Sequence, residues 1–203
     1  MIPGNPRILI CPFCGKEKKI MSLVSGNTYG AEFWSDNKQI APMLPEISYV
    51  QKCPNCGKYY IKDRQEEKYA KGTPSFNKGL LTYPEMKEAF AQLSEEGFAD
   101  KDEEAHVRLM LHHAYNDYYY RSGDNKEIDA ADKQLFHKNG IWLIDNLIAD
   151  DVLKAEFYRE IGEFETARGI LETAKVEDEL LKRIVSLIQE RLQNNDCRVF
   201  RIQ

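Results

Sequence analysis

Residues 11–16 read CPFCGK and residues 53–58 read CPNCGK, the same six-residue device with one letter changed. Cys-x-x-Cys is the shortest convenient spacing at which one tight turn presents two sulfurs to one ion, and two such turns complete a tetrahedral shell. Gly15 and Gly57 follow the second cysteine of each pair. There the chain must bend away, and backbone amides can point at sulfur with no Cβ in the way. Lys16 and Lys58 come next and stand beside a site of excess negative charge. The doubled motif assigns Cys11, Cys14, Cys53 and Cys56 to one four-cysteine centre. Such a centre has no open coordination position, so its expected role is structural and its expected occupant is one zinc ion. Binding free energy of the ion then acts as folding free energy for a small N-terminal unit with a thin core.

The rest of the chain sets the context for that centre. At 42% hydrophobic and 30% charged over 203 residues, the composition is that of an ordinary globular protein and not of a disordered one. No stretch approaches the ~18 consecutive apolar residues of a membrane span. The opening MIPGNPRILICPFCG lacks the charged leader and sustained apolar core of a signal peptide. The expectation is a cytoplasmic protein with no membrane partner, and in a reducing compartment paired cysteines point to metal before disulfides. The net charge of −5 divides into +4 for residues 1–64 and −9 for the remainder. Four thiolates around a divalent ion would add about −2 to the first part. That leaves no strongly basic footprint for nucleic acid.

The N-terminal segments read as strands. RILIC and KIMSLVS flank the first cysteine pair, and ISYVQKC and KYYIKD flank the second. Between them EFWSDNKQIA predicts a hairpin turning at Asp36 and Asn37, residues that tolerate positive φ, and APMLPE is excluded from regular structure by its two prolines. Residues 65–81 are polar and broken by Gly-Thr-Pro and Asn-Lys-Gly, which reads as a linker. Helices follow. Thr82 and Glu85 have capping-box spacing, and that helix runs to about Gly97. Asp100 with Glu103 starts another, with Val107, Met110, Leu111, Ala114 and Tyr118 as its buried stripe. A third spans roughly 128–148, where Gly140 predicts a kink or close packing. Asp150 or Asp151 caps the next start, and 177–193 is the last helix. The tail CRVFRI alternates like a strand that returns to the β unit. The fold class is therefore α+β, with a β-rich unit at 1–64, a linker at 65–81 and an all-α domain of helical hairpins at 82–203.

Residues 155–174, AEFYREIGEFETARGILETA, resemble the second half of a tetratricopeptide-repeat hairpin. Tyr158, Gly162, Phe164, Ala167, Leu171 and Ala174 fall where that family places its aromatics, its turn glycine and the small and large residues of the packed second helix. Ala167 and Ala174, seven apart, would lie on one helix face and admit a close neighbour. The match covers one repeat, so the region is tetratricopeptide-like. The first sixty or so residues resemble the zinc ribbon of an uncharacterised bacterial family with the same order of elements, a likeness that brings no known activity. The knuckles also resemble those of rubredoxin-type iron electron carriers, which present two Cys-Pro-x-Cys-Gly turns to one ion. The 38-residue insert between Cys14 and Cys53 and the helical half fit that small carrier poorly. Ligand type alone does not separate zinc from iron.

Other chemistry-bearing residues are weaker signals. His106, His112, His113 and His137 lack the spacing for a second metal site, and packed or solvated histidines are the ordinary reading. Tyr115, Tyr118, Tyr119 and Tyr120 read as core edge plus surface, with a groove for peptide or bases as the sharper alternative. Phe33, Trp34, Met43 and Leu44 are expected to cover the metal site, or else Trp34, Asp36 and Asn37 form a recognition tip. Cys197 reads as a packed thiol. Nothing resembles a nucleophile elbow, a phosphate loop, a dinucleotide fingerprint or a zinc-protease helix, so neither an enzyme nor a small-molecule substrate is expected. The leading expectation is a structural zinc centre joined to a helical scaffold that binds a protein or peptide partner. The first alternative is a nucleic-acid-binding zinc ribbon, because Lys16, Lys18, Lys19, Lys52, Lys58, Lys62 and Arg64 border the knuckles. The second is a rubredoxin-like iron electron carrier.

Overall fold

The computed structural model describes residues 1–66, 68–72, 79–124 and 126–202. Short strands occupy its N-terminal third and helices the remainder, an α+β chain as the patterning implies. In chain order the strands are β1 (Ile2–Pro3), β2 (Arg7–Ile10), β3 (Glu17–Ile20), β4 (Leu23–Ser25), β5 (Glu32–Phe33), β6 (Gln39–Ile40), β7 (Val50–Lys52), β8 (Tyr59–Ile61) and β9 (Lys68–Tyr69). The helices are α1 (Tyr83–Glu96), α2 (Lys101–Asn116), α3 (Ala130–Asn146), α4 (Asp151–Glu160), α5 (Phe164–Thr173) and α6 (Glu179–Gln193). The sheets are small: β1 with β4, β2 between β3 and β9, β5 with β6, and β7 with β8.

Packing divides the described residues into two compact units. The first is Met1–Glu32 with Gln39–Val107, and the second is Phe33–Lys38 with Arg108–Gln203. These limits differ from the 1–64, 65–81 and 82–203 boundaries read from composition. Residues 67 and 73–78 of the expected linker lie outside the described residues.

The first unit gains α1 because β8 is an edge strand, and an uncovered edge is a liability. The Gln92 side chain stands in for a neighbouring strand: Tyr59 N–H donates to its Oε1 at 3.0 Å, and its Nε2 donates to the Tyr59 carbonyl at 2.8 Å. Tyr59 Oη donates to Glu88 at 2.7 Å, and Lys52 pairs with Glu85 at 3.1 Å. The helix itself starts where the sequence places it, with a Thr82–Glu85 capping box and Gly97 as C-cap. In β2 the period-two alternation buries Arg7 and Leu9 on one side. Arg7 is tolerated there because its guanidinium donates to Asp63 and to the carbonyls of Lys62 and Gln65, each at 3.3 Å.

The second unit is built on α4 and α5, two ten-residue helices joined by a turn in which Gly162 adopts φ 89°. Ala155 and Ala167 are fully buried there, and Leu171, Ile188, Leu192 and Phe200 complete the core. Ala174 is not on a helix face. It is the extended C-cap of α5, so Ala155 on α4 supplies the second small residue of the close contact. At Gly140 the expectation of close packing holds: a Cβ there would stand 2.5 Å from Ile161 Cγ2. Asp129, Asp150 and Asp178 cap α3, α4 and α6. Along α2 the fully buried positions are Val107, Leu111, His112, Tyr115 and Asn116, with Met110 and Ala114 only half-buried. Past Asn116 the chain widens into a π-type turn over Asp117–Arg121. Among the described residues the tail forms no strand and does not return to the β unit: through an isolated bridge it pairs with residues 33–35, which belong to this second unit. Ser35 N–H donates to the Phe200 carbonyl at 2.9 Å, and Ile202 N–H donates to that of Phe33 at 2.7 Å.

A buried polar network explains why Phe33–Lys38 belongs with these helices. Asn37 takes φ 62° and turns the chain as expected, but Asp36 beside it is completely buried. Its Oδ2 accepts two N–H bonds from Arg121 at 2.8 Å and one from Asn116 at 3.0 Å. Burial works against the charged form of Asp36, but His113, Arg121 and the Asn116 bond outweigh it and hold the carboxyl below its usual range. Asn116 also donates to Glu160, whose Oε2 lies 2.8 Å from His112 Nε2. The His112 ring is sandwiched between Phe136 and Phe157, with centroids at 4.5 and 4.4 Å.

Burial pulls the His112 imidazole down to about 3 and drives the Glu160 carboxyl well above its ordinary range, so burial favours a neutral imidazole beside a carboxyl that holds its proton to higher pH than a free glutamate. An unfolded glutamate gives up that proton near pH 4.3. The folded state therefore binds more protons than the unfolded one at neutral pH, and stability falls as pH rises. Glu160→Gln keeps a neutral hydrogen-bonding group and removes this dependence. Its stability relative to the parent is expected to improve as pH rises above the ordinary glutamate range, by at most about 1.4 kcal/mol per pH unit while the folded carboxyl keeps its proton, read from denaturant titrations. A difference that stays constant with pH would show that Glu160 is ionised.

Candidate metal centre

Each cysteine pair lies in the turn of a hairpin, β2 to β3 for the first and β7 to β8 for the second, both antiparallel. The two turns are the same object. Cys11 N–H donates to the Lys16 carbonyl at 3.0 Å and Gly15 N–H to that of Cys11 at 2.9 Å. Cys53 N–H donates to Lys58 at 2.8 Å and Gly57 N–H to Cys53 at 3.0 Å. Gly15 and Gly57 adopt φ of 71° and 74°, the left-handed region that a side chain would strain. One sulfur of each turn then faces inward and the other outward. Cys11 and Cys53 are 1% exposed, whereas Cys14 and Cys56 are exposed.

The four sulfurs lie within 4.8 Å of one another, and they are the one such group of metal-ligating side chains among the described residues. Cys11 Sγ stands 3.7 Å from Cys56 Sγ, and Cys14 Sγ 3.6 Å from Cys53 Sγ. Four sulfurs at about 2.3 Å from a central ion would be separated by about 3.8 Å in a regular tetrahedron. The donor set and its spacing fit a tetrahedral ion that prefers thiolates, a description that zinc and iron share.

Electrostatics favour an occupant. Burial drives the Cys11 thiol up to about 12. At Cys53 burial also opposes ionisation, yet the N–H groups of Cys56 and Asn55, 3.5 and 3.4 Å from its sulfur, outweigh that and bring it to about 6. Four thiolates so close together repel one another unless a cation lies between them. The Asn55 side chain adds a further donor, from Nδ2 to Cys14 Sγ at 3.6 Å. The core against the centre is Leu9, Ile20 and Tyr60 with Ile47 beside them.

This core corrects one expectation. Met43 and Leu44 are 38% and 43% exposed and absent from it, and Phe33 and Trp34 belong to the second unit. The sequence favours them as cover because they are the large apolar residues of the insert, but Tyr60 and Ile47 from the flanks of the second knuckle do that work. Nor is the 33–38 segment a free tip, since Asp36 is consumed by Arg121. Of the other histidines, His106 stacks on Tyr49 at 4.1 Å, His113 Nε2 meets the Asp36 carbonyl at 3.1 Å, and His137 meets Glu163 at 2.8 Å. Tyr115 stacks on Phe136 at 3.8 Å and Tyr119 donates to Asp132 at 2.6 Å, so these two belong to the core. Cys197 is half-buried. Asn55 is the site residue that motif reading passes over, and its signal is the one letter by which the knuckles differ.

Scans against protein-family models, curated proteins and solved structures each find no match to this chain. Among the described residues no helix is long and apolar enough to cross a membrane.

If an ion joins the knuckles, its removal is expected to loosen the strands around it. Chelation under reducing conditions should raise amide hydrogen exchange at Leu9, Val50 and Tyr60 toward unprotected rates, with recovery on adding zinc. Unchanged protection in metal-free protein would show that the sulfurs are held by packing alone.

Proposed function

We propose that the chain is a non-catalytic zinc protein in which the four-cysteine centre holds a small β unit together and the helical unit offers a surface to a protein partner. The observation that carries the first half is the cross-knuckle sulfur spacing of 3.6 and 3.7 Å, close to the edge of a zinc–thiolate tetrahedron. All four positions of such a shell are filled by the protein, so the bound ion would supply a crosslink and no reaction centre. The zinc-ribbon reading draws support from the paired hairpin turns, and zinc is preferred over iron because the helical unit has no counterpart in a small electron carrier.

Partner binding draws support from α4, α5 and α6. The α4–α5 hairpin has the small-residue packing of a tetratricopeptide-like pair, and stacked helical hairpins make concave protein-binding surfaces. Beside it lies a hollow of about 220 Å³, walled by Trp34, Val152, Leu153, Leu181, Ile184 and Ile188. Leu180 and Leu181 at the start of α6 are 54% and 37% exposed. A nucleic-acid role draws less support, because five of the seven basic side chains that border the knuckles are engaged within the unit, with Lys16 and Lys19 exposed. Lys52 pairs with Glu85, Lys62 with Asp63 and Arg64 with Glu103, while Lys18 Nζ donates to the Lys52 carbonyl and Lys58 sits over the Phe13 ring.

Elemental analysis of untagged protein with an absorption spectrum tests the first half. One zinc per chain and a colourless solution are expected, and iron with visible charge-transfer bands would replace this reading by electron transfer. For the second half, quantitative affinity capture compares the parent with Leu181→Asp. A protein recovered by the parent and lost with the variant is expected, and equal recovery from both would refute this surface.

A further inference from the structure

The two knuckles differ by one residue, Phe13 against Asn55, and that difference breaks the symmetry of the sulfurs. Two are inward. Cys11 and Cys53 are buried, and the Cys53 sulfur receives two backbone N–H bonds. Two are outward, and here the knuckles diverge. Asn55 reaches across to the other turn and donates its side-chain N–H to Cys14 Sγ at 3.6 Å. Its counterpart Phe13 has no donor to give, and its ring lies 4.5 Å beneath the Lys58 ammonium. Among the described residues no side-chain N–H reaches Cys56, whose sulfur neighbour across the centre is Cys11 at 3.7 Å.

Hydrogen bonds to a ligating sulfur draw off its charge and tune its reactivity, so the outward thiolate that lacks one is the stronger nucleophile. We propose that Cys56 is the reactive sulfur of the centre, the first to be modified by hydrogen peroxide or by a soft alkylating agent, and that its oxidation leads to a disulfide with Cys11 across the two knuckles. This rests on the centre being metal-loaded. The Cys56 thiolate attacks one peroxide oxygen, the O–O bond breaks, hydroxide leaves, and Cys56 becomes a sulfenic acid. The Cys11 thiolate then attacks that sulfur and expels a second hydroxide as the S–S bond forms. The two cysteines lose two electrons and the peroxide gains them. Two of the four ligands are thereby withdrawn, one from each knuckle, so the crosslink between the hairpins changes from an ion to a disulfide. The centre would release its ion on oxidation and regain it after thiol reduction.

The test uses the full chain reconstituted with zinc. Limiting iodoacetamide followed by peptide mass mapping ranks the four sulfurs. Peroxide treatment in the presence of a chromogenic chelator times zinc release, and the oxidised product is mapped for disulfides. Cys56 is expected to be alkylated several-fold faster than Cys14, and Cys11–Cys56 to be the first disulfide. Phe13→Asn should slow Cys56 to the rate of Cys14, and Asn55→Phe should speed Cys14 to the rate of Cys56, with zinc release following the faster sulfur in each variant. Equal rates in the parent, indifference to both substitutions, or a first disulfide within one knuckle would overturn the proposal while leaving the metal centre standing. Protein that takes up no zinc would overturn both.

Discussion

Four sulfurs within 4.8 Å of one another impose a condition that side-chain packing does not meet by itself. Ionised, they repel; neutral, they forgo the strongest interaction available to them, which is with a soft divalent ion. The first unit is organised around this condition. Its strands are two to four residues long, and two-stranded hairpins of that size are marginal on their own. What they share is that both knuckle turns end at the same point in space. The antiparallel register of β2 with β3 and of β7 with β8 fixes which cysteine of each pair faces inward, and Leu9, Ile20 and Tyr60 close over those two. α1 then secures the open edge of β8 through the Gln92 amide.

A different constraint shapes the second unit. A carboxylate removed from water is costly unless its oxygens are satisfied and a cation faces it. Asp36 meets both requirements, with Arg121 and Asn116 on Oδ2 and the Lys38 N–H on Oδ1 at 3.2 Å. The wide turn over Asp117–Arg121 matters because it re-aims Arg121 after the regular part of α2 has ended. Such a pair adds little net stability compared with apolar residues of the same shape, but it is strict about geometry. It therefore gives the 33–38 segment a single seat, which the tail hydrogen bonds at Ser35 and Phe33 reinforce.

Local signals were legible in the sequence and long-range ones were not. The helix starts at Thr82 and Asp150, the stop at Gly97 and the turn at Asn37 rest on side-chain and backbone chemistry within a few residues, so they could be read directly. The cysteine centre was legible because repetition makes a long-range contact visible: two identical turns imply one shared ligand. The seat of Asp36 had no such signal. Its partners lie 80 and 85 residues away, and Asp-Asn is so common a turn dipeptide that the local reading accounts for it fully. Trp34 was misplaced for the same reason, since a large apolar residue near a metal motif looks like cover when its true neighbours are at the far end of the chain.

The α4–α5 hairpin shows what a lone helical hairpin requires. In a solenoid, each hairpin buries its apolar face against the next, and terminal repeats are capped by polar faces. Here Ala155, Ala167 and Leu171 are closed by Ile188 and Leu192 of α6 and by Phe200 of the tail. Phe200 is held in turn between the buried Arg159 guanidinium, which pairs with Glu156, and Arg191 at 4.4 Å. The capping is complete at the C-terminal half of α6, where Ile188 and Leu192 are buried. It is incomplete at the other end, where Leu180 and Leu181 are exposed and Ile184 is half-covered. A helix whose apolar stripe runs on beyond the core that it caps has surface left for something else, and on this unit that surface adjoins the hollow beside Trp34.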